Sequence, residues 1–266
     1  MDISKTVLIS GGSSGIGFTI SRYFASAGYK LLWVSLLKEE ITSSKIKLQN
    51  EIPDCEINSI VQDLSLSNAA QNVYDWVQEN HWNVDVLINN AGFGTYGFIN
   101  DIDSKRELNM IGVNIVSLYK MTRFFLKDMI TLNEGTIINV SSNSSFQPTP
   151  KLSTYGATKS FVNHFTRSVS EELKMQKSNV KVICVCPSAI KDTNFKKAGK
   201  MEKVKTFNGI AATTAEEVAK DVWNGFVKGK SFIISGWKMR MLYRISWMIP
   251  YKIQQFLVRK EIKEVH

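Results

Sequence analysis

Short β-branched and apolar runs alternate along this chain with helix-period segments of roughly ten to twenty residues, and that alternation leaves few folds open. The expected strands are Thr6–Ile9, Leu31–Ser35, Ile57–Val61, Val84–Ile88, Thr136–Val140, Val180–Cys186 and Ser231–Ile234. Between them the spacing predicts helices over Phe18–Gly28, Lys38–Asn50, Ala69–Glu79, Ser104–Ile130, Thr154–Lys177 and Thr214–Val227. A strand, a crossover helix and a next parallel strand connect with right-handed turns. The expected class is therefore α/β, a doubly wound parallel sheet of about seven strands with helices on both faces.

The first strand runs at once into Ser10-Gly11-Gly12-Ser13-Ser14-Gly15-Ile16-Gly17 and then a helix. Glycines allow a tight turn and a close backbone approach, while the helix N-terminus turns free N–H groups towards an anion such as a diphosphate. A tight turn alone would also satisfy this pattern, but its place after the first strand of an α/β chain points to a Rossmann-type nucleotide site. Asp63 and Leu64 follow the third strand at the same edge of the sheet, where ligands bind. Asp63 could equally start the next helix, although Ser65 or Ser67 would serve for that. Asn89-Asn90-Ala91-Gly92 is a second glycine-bearing turn, after strand four.

The stretch Thr136 to Val162 passes from strand through a polar loop with Pro148 and Pro150 into a helix. That order can gather Ser142, Tyr155 and Lys159. Tyr155 and Lys159 are i and i+4 on one helix face, and of the eight tyrosines only Tyr155 has a lysine four residues on. Taken singly, each has a plainer reading: a turn serine, a first-turn aromatic, a solvated lysine. Asn114 falls mid-helix, where an asparagine is usually solvated or locally bonded.

The formal charge of +9 is unevenly spread. Residues 237–266 hold seven basic residues against two acidic ones, or +5, so the remaining 236 carry +4. That distribution argues against a nucleic-acid groove across the fold. Three cysteines, with Cys184 and Cys186 inside an apolar strand, give no disulfide framework and suit a reducing cytosol. The N-terminus lacks a signal-peptide pattern, no apolar run is long enough to span a bilayer, and no Cys/His cluster has metal-ligand spacing. A cytoplasmic protein without a metal is expected. With no repeat or linker, one domain is the default: residues 1–236 as the nucleotide-binding and catalytic domain, with 237–266 as its basic amphipathic extension. Ser188–Asn208, polar and weakly periodic, reads as a substrate lid.

Taken together, these motifs resemble the short-chain dehydrogenase/reductase family, in its compact branch and in the wording of its bacterial ketoacyl-reductase-like members. Gly11, Gly15 and Gly17 match the family's glycine turn, with Ser10 where threonine is usual. Asp63 matches the acid that contacts adenine, and Asn90, Ala91 and Gly92 the turn beside the cofactor. Asn114, Ser142, Tyr155 and Lys159 match the catalytic tetrad. An epimerase-type glycine pattern fails at Phe18. The resemblance implies hydride transfer between a nicotinamide and a carbonyl or alcohol, with reduction of a hydrophobic ketone or 3-oxoacyl-type compound the expected reaction. In it Tyr155 is the general acid/base, Ser142 orients the substrate oxygen, and Asn114 holds a water linking Lys159 to solvent. Lys159 would lower the Tyr155 pKa from its usual value of about 10. Cofactor contacts are expected from Gly11, Ser13, Ser14, Gly15, Ile16, Gly17, Asp63, Leu64, Asn90, Ala91, Gly92, Tyr155, Lys159, Pro187 and Thr193, the last one residue later than the family pattern.

The position after strand two holds Leu36 rather than an acid, which favours NADP(H) over NAD(H), with Lys38 or Ser13 as phosphate contacts. The pocket is expected between the Phe93–Phe98 loop, the Ser144–Leu152 loop and the segment after Pro187. A homodimer or homotetramer is the expected assembly. In the tail, Leu242, Ile245, Ile249, Ile253 and Phe256 fall near one helical face, split by Pro250. Trp237, Trp247 and the basic residues suit peripheral membrane contact, while a pocket cover or a subunit interface is the plainer reading. A non-catalytic cofactor-binding regulator is the alternative function, although such a protein has no use for Tyr155 with Lys159.

Overall fold

The computed structural model describes residues 5–262 except 200, 203, 210 and 247. Seven strands form one sheet in the order β3-β2-β1-β4-β5-β6-β7. They are β1 (Thr6–Ser10), β2 (Lys30–Ser35), β3 (Ile57–Val61), β4 (Val86–Asn89), β5 (Thr136–Val140), β6 (Lys181–Cys186) and β7 (Phe232–Ile234). Every neighbouring pair is parallel. The chain starts in the middle, at β1, winds outward to β3, then returns to β4 on the other side of β1. That reversal opens a crevice at the carboxyl edge of β1 and β4.

The central strands are buried on both sides, as their unbroken apolar sequence requires. Val7 and Ile9 of β1 join Phe24, Trp33 and Val222 on one face of the sheet. Leu8, between them, joins Val73, Phe125 and Val169 on the other. The first layer comprises α1 (Gly15–Ser26), α2 (Lys38–Glu51) and α8 (Ala215–Val227); the second comprises α3 (Ala69–Glu79), α5 (Leu118–Leu132) and α6 (Ser153–Met175). α8 begins with a capping box, Thr214 accepting from the Glu217 N–H and Glu217 from the Thr214 N–H.

Two segments depart from expectation. The helix expected over Ser104–Ile130 is α4 (Ser104–Ile111) and α5 joined by a π-helical turn, Gly112–Ser117, with Asn114 inside it. Leu108, at helical spacing with Ile111 and Ile115, is exposed, and Met110 is the buried residue of α4. The Ser188–Asn208 stretch is more ordered than its polarity suggests. It carries α7 (Phe195–Ala198) and a 3₁₀ turn, Lys205–Asn208, and buries Met201, Val204 and Phe207 against Leu152 and Tyr155. The tail forms α9 (Trp237–Ser246) and α10 (Tyr251–Glu261), with Pro250 at the start of α10 as its missing N–H dictates. Trp247, Lys263 and Glu264 lie outside the described residues.

Candidate active site

The glycine turn is held by contacts that leave no room for larger residues. A Cβ on Gly17 would stand 2.0 Å from the Gly11 carbonyl oxygen, and Gly11 itself has φ +68°. Ser10 does more than replace a threonine: its hydroxyl accepts from the N–H groups of Asn90 and Ala91, both at 3.0 Å, and so ties the β1 turn to the β4 turn. The Asn90 amide adds bonds to the carbonyls of Ser10 and Gly11. Ser14 precedes α1 in an extended conformation with no side-chain cap, leaving the helix N-terminus open towards the groove.

The chemistry-bearing residues meet beside this groove. Lys159 is buried and its Nζ donates to the Val140 carbonyl at 2.9 Å, 5.9 Å from the centre of the Tyr155 ring. The Ser142 hydroxyl donates to Asn143 Oδ1 and accepts from the Ser144 N–H, both at 3.2 Å, and lies beside the Tyr155 phenol. Asn114 is fully buried, and its amide grips Phe93 from both sides: Nδ2 donates to the Phe93 carbonyl at 3.0 Å and Oδ1 accepts the Phe93 N–H at 3.2 Å. Nδ2 also donates to Thr158 at 3.0 Å. Gly92 is where Asn114 and Lys159 converge, since a Cβ there would stand 2.9 Å from Asn114 Oδ1 and 3.3 Å from Lys159 Nζ. The π turn is what points Asn114 at this place; such insertions recur at functional positions.

Burial governs the titration of the pair. It pushes the Tyr155 phenol up to about 12, opposed by the Ser142 hydroxyl beside it, and pushes Lys159 down to about 8. Both shifts disfavour the charged form. Burial, the largest influence on the phenol, acts against the lowering of Tyr155 that Lys159 is expected to give.

A cavity of about 1100 Å³ joins the turn to the pair. Gly11, Ser14, Gly15, Ile16, Asp63, Leu64, Asn90, Ala91, Gly92, Pro187 and Thr193 line it together with Ser142, Tyr155 and Lys159. The Thr193 methyl would lie 3.4 Å from a Cβ on Gly15, and its Oγ1 is buried without a hydrogen-bond partner. An elongated polar ligand along the turn fits such an orphan. Asp63 Oδ1 accepts from the Ser65 N–H at 2.8 Å, so it shapes its own turn while lining the cavity.

Three expected contact residues do not line the cavity. Gly17 lies beneath the turn as a packing residue. Ser13 is buried and enclosed, its N–H and hydroxyl bonded to Ser35 and its hydroxyl also to Glu40. Lys38 is exposed and does not line the cavity, whereas Glu40 does. Glu40 was invisible to a reading that stopped at the strand end, because it arrives from the first turn of α2. Ser144 was also missed as an individual residue; its hydroxyl lines the cavity, buried and without a partner. Of the loop from Phe93 to Phe98 only Phe93 lines the cavity, while Phe146, Thr149 and Leu152 represent the second loop and Phe195 and Phe207 the third segment.

A doubly wound sheet with a glycine cradle at its reversal point, and a Ser-Tyr-Lys cluster beside it, defines a class of nucleotide-dependent enzymes. Within that class the family model described as short chain dehydrogenase matches residues 5–203, so the chain belongs to the short-chain dehydrogenase family. It is 29% identical over 180 residues to the very-long-chain 3-oxoacyl-CoA reductase of Rattus norvegicus, covering 65% of this chain and 55% of that one. To the 3-oxoacyl-(acyl-carrier-protein) reductase FabG of Chlamydia trachomatis it is 27% identical over 198 residues, 74% of this chain and 77% of the relative. The chain spans little more than half the length of several of the curated relatives it matches. Among solved structures, a short-chain dehydrogenase from Sphingobium yanoikuyae in complex with NADPH has a TM-score of 0.80 at 24% identity, with 98% of both chains covered. One from Burkholderia phymatum in complex with NAD has a TM-score of 0.81 at 20% identity, covering 99% of this chain and 98% of that one. Both likenesses are likenesses of fold.

Proposed function

We propose that this chain is an oxidoreductase that transfers hydride between a nicotinamide cofactor and a carbonyl or alcohol carbon, working as a reductase on a hydrophobic ketone or 3-oxoacyl-type compound. The observation that carries this reading is the meeting of Ser142, Tyr155 and Lys159 in one cavity whose other wall is the glycine turn. The cofactor, when bound, supplies the hydride. Ser142 would donate to the substrate oxygen and hold it where charge develops. Tyr155, protonated in its buried site, would give its proton to that oxygen as the carbon is reduced. Lys159, anchored on the Val140 carbonyl, would offset the phenolate left behind and return a proton to it. Asn114 is read as holding the Phe93 turn and, on the family pattern, the water that resupplies Lys159.

The substrate class is supported by the apolar wall formed by Phe146, Leu152, Phe195 and Phe207 and by the names of the two 3-oxoacyl reductases reported above. In this reading residues 1–236 bind the cofactor and carry out the chemistry, and residues 237–266 cover the site. Val116, Tyr119 and Phe161, exposed on the π turn, α5 and α6, support pairing of copies into a homodimer or homotetramer.

For the cofactor, the lack of an acid at Leu36 favours NADP(H), but Glu40 weighs more. It is the one charged side chain that the β2–α2 segment brings to the cavity among the described residues. A carboxylate there would accept from a ribose hydroxyl and repel a 2′-phosphate, so NAD(H) is the preferred reading.

Tyr155→Phe tests the chemistry. It is expected to lower kcat on a hydrophobic ketone by ~10²–10⁴-fold while dinucleotide binding, followed by nicotinamide fluorescence, stays within a few fold. Full turnover in the variant would remove Tyr155 from the chemistry, and dinucleotide binding without ketone reduction by the unaltered chain would instead support a non-catalytic cofactor-binding role.

A further inference from the structure

The two tail helices are amphipathic in a way that one occupant cannot explain. Met239, Leu242, Tyr243 and Ser246 of α9 line the cavity, and so do Gln254, Leu257, Val258 and Glu261 of α10. Each set has the three-and-four spacing of one helix face. The side of the tail away from the cavity is apolar as well, on both helices and at Met248 in the turn between them. Trp237 is 63% exposed, Met248 84% and Phe256 67%, and Met241, Ile245 and Ile253 are exposed between them. None of these six lines the cavity.

The outer faces are also one-signed. Lys238, Arg244, Lys252 and Arg259 are exposed beside the apolar residues, and the only acid on α9 or α10 is Glu261, on the cavity side. Arg240 is already engaged, donating to Asp221 and to the Ile234 carbonyl. No helix among the described residues is long and apolar enough to cross a membrane. We infer that this outer face docks on an anionic lipid surface, apolar side chains entering the interface and the basic ones meeting headgroups. A second copy is the poorer occupant, because a two-fold contact would set the same basic stripe against itself.

The helices are fastened to the mouth of the cavity. Tyr96 Oη donates to the Ile262 carbonyl at 2.7 Å, Gln255 Nε2 donates to the Pro148 carbonyl at 3.3 Å, and Phe146 packs on Tyr243 with ring centres 4.5 Å apart. Resting on the proposed reductase reading, the same contact brings the cavity within reach of a lipophilic substrate dissolved in the bilayer.

The test is flotation of the full chain with vesicles of phosphatidylcholine and phosphatidylserine, compared with phosphatidylcholine alone. The chain is expected to float with the anionic vesicles and to stay largely free with the neutral ones. Met248→Asp with Phe256→Asp, and separately Lys252→Glu with Arg259→Glu, are each expected to weaken binding at least tenfold, with the unfolding midpoint unchanged since all four side chains are exposed. No flotation of the intact chain, or flotation indifferent to both pairs, overturns the inference. So does sedimentation showing that Met248→Asp with Phe256→Asp separates a dimer that forms without lipid. Flotation needs no turnover, so a chain that floats but reduces no ketone overturns the proposed activity and leaves the docking face standing.

Discussion

Glu40 shows how one carboxylate can outweigh a motif. Its oxygen bonds Ser13, Ser13 bonds Ser35, and Ser44 bonds the Ser13 carbonyl at 2.7 Å, so the acid is held in place at the end of β2. A 2′-phosphate carries nearly two charges; beside a fixed carboxylate the repulsion at an effective dielectric near 20 is a few kcal/mol. Titration should therefore show the chain binding NADH more tightly than NADPH, and Glu40→Arg should reverse the order by at least ~10-fold, roughly 1.4 kcal/mol. Tighter NADPH binding by the unaltered chain would refute this. At this scale, Tyr155 and Lys159 were legible because covalent spacing fixes i and i+4 on a helix. Glu40 and the orphan hydroxyls of Thr193 and Ser144 were not, because their roles depend on which side chains of distant segments leave them unpaired.

The two ends of α1 separate two ways in which glycine matters. At Gly17 the limit is space, since the Gly11 carbonyl occupies the position of a Cβ; at Gly28 nothing lies within 4 Å and the limit is only φ +81°. Gly17→Ala should cost ~2–3 kcal/mol by overpacking and abolish dinucleotide binding, because relief requires the turn to move. Gly28→Ala should cost ~1–2 kcal/mol through the left-handed backbone alone and leave binding intact. Thermal unfolding with cofactor titration checks the pair; normal binding in Gly17→Ala would show that the turn is not the cradle. The central strands were legible as unbroken apolar runs buried on both faces, and most helices because each buries one periodic apolar face. The π turn was not, since Leu108, Ile111, Ile115 and Leu118 fit an uninterrupted helix and an extra residue per turn leaves no mark in composition. The ordered segment beyond Pro187 was hidden for the opposite reason: its lysines mask three buried apolar residues, Met201, Val204 and Phe207.

Across the whole molecule, stability is unequal in a way that bears on access. The sheet is covered on both faces, whereas α9 contributes no buried residue and α10 only Gln255. Elements with little burial open at lower free energy than the core. The tail is therefore expected to open as a unit over a closed sheet, with Tyr96 and Gln255 among the polar contacts holding α10 to the cavity mouth. Losing two such bonds costs about 2 kcal/mol of local stability, which corresponds to roughly 30-fold more frequent opening. Tyr96→Phe combined with Gln255→Ala should thus speed amide exchange across 251–261 by about that factor while β1 and β4 exchange as before. Uniform loss of protection would mean that the tail and the sheet unfold together. No change in α10 would mean that apolar contacts alone, such as Phe146 on Tyr243, hold the cover down. Selective loosening makes the tail a wall of the cavity that moves without unfolding the site beneath it, since α9 and α10 both line that cavity.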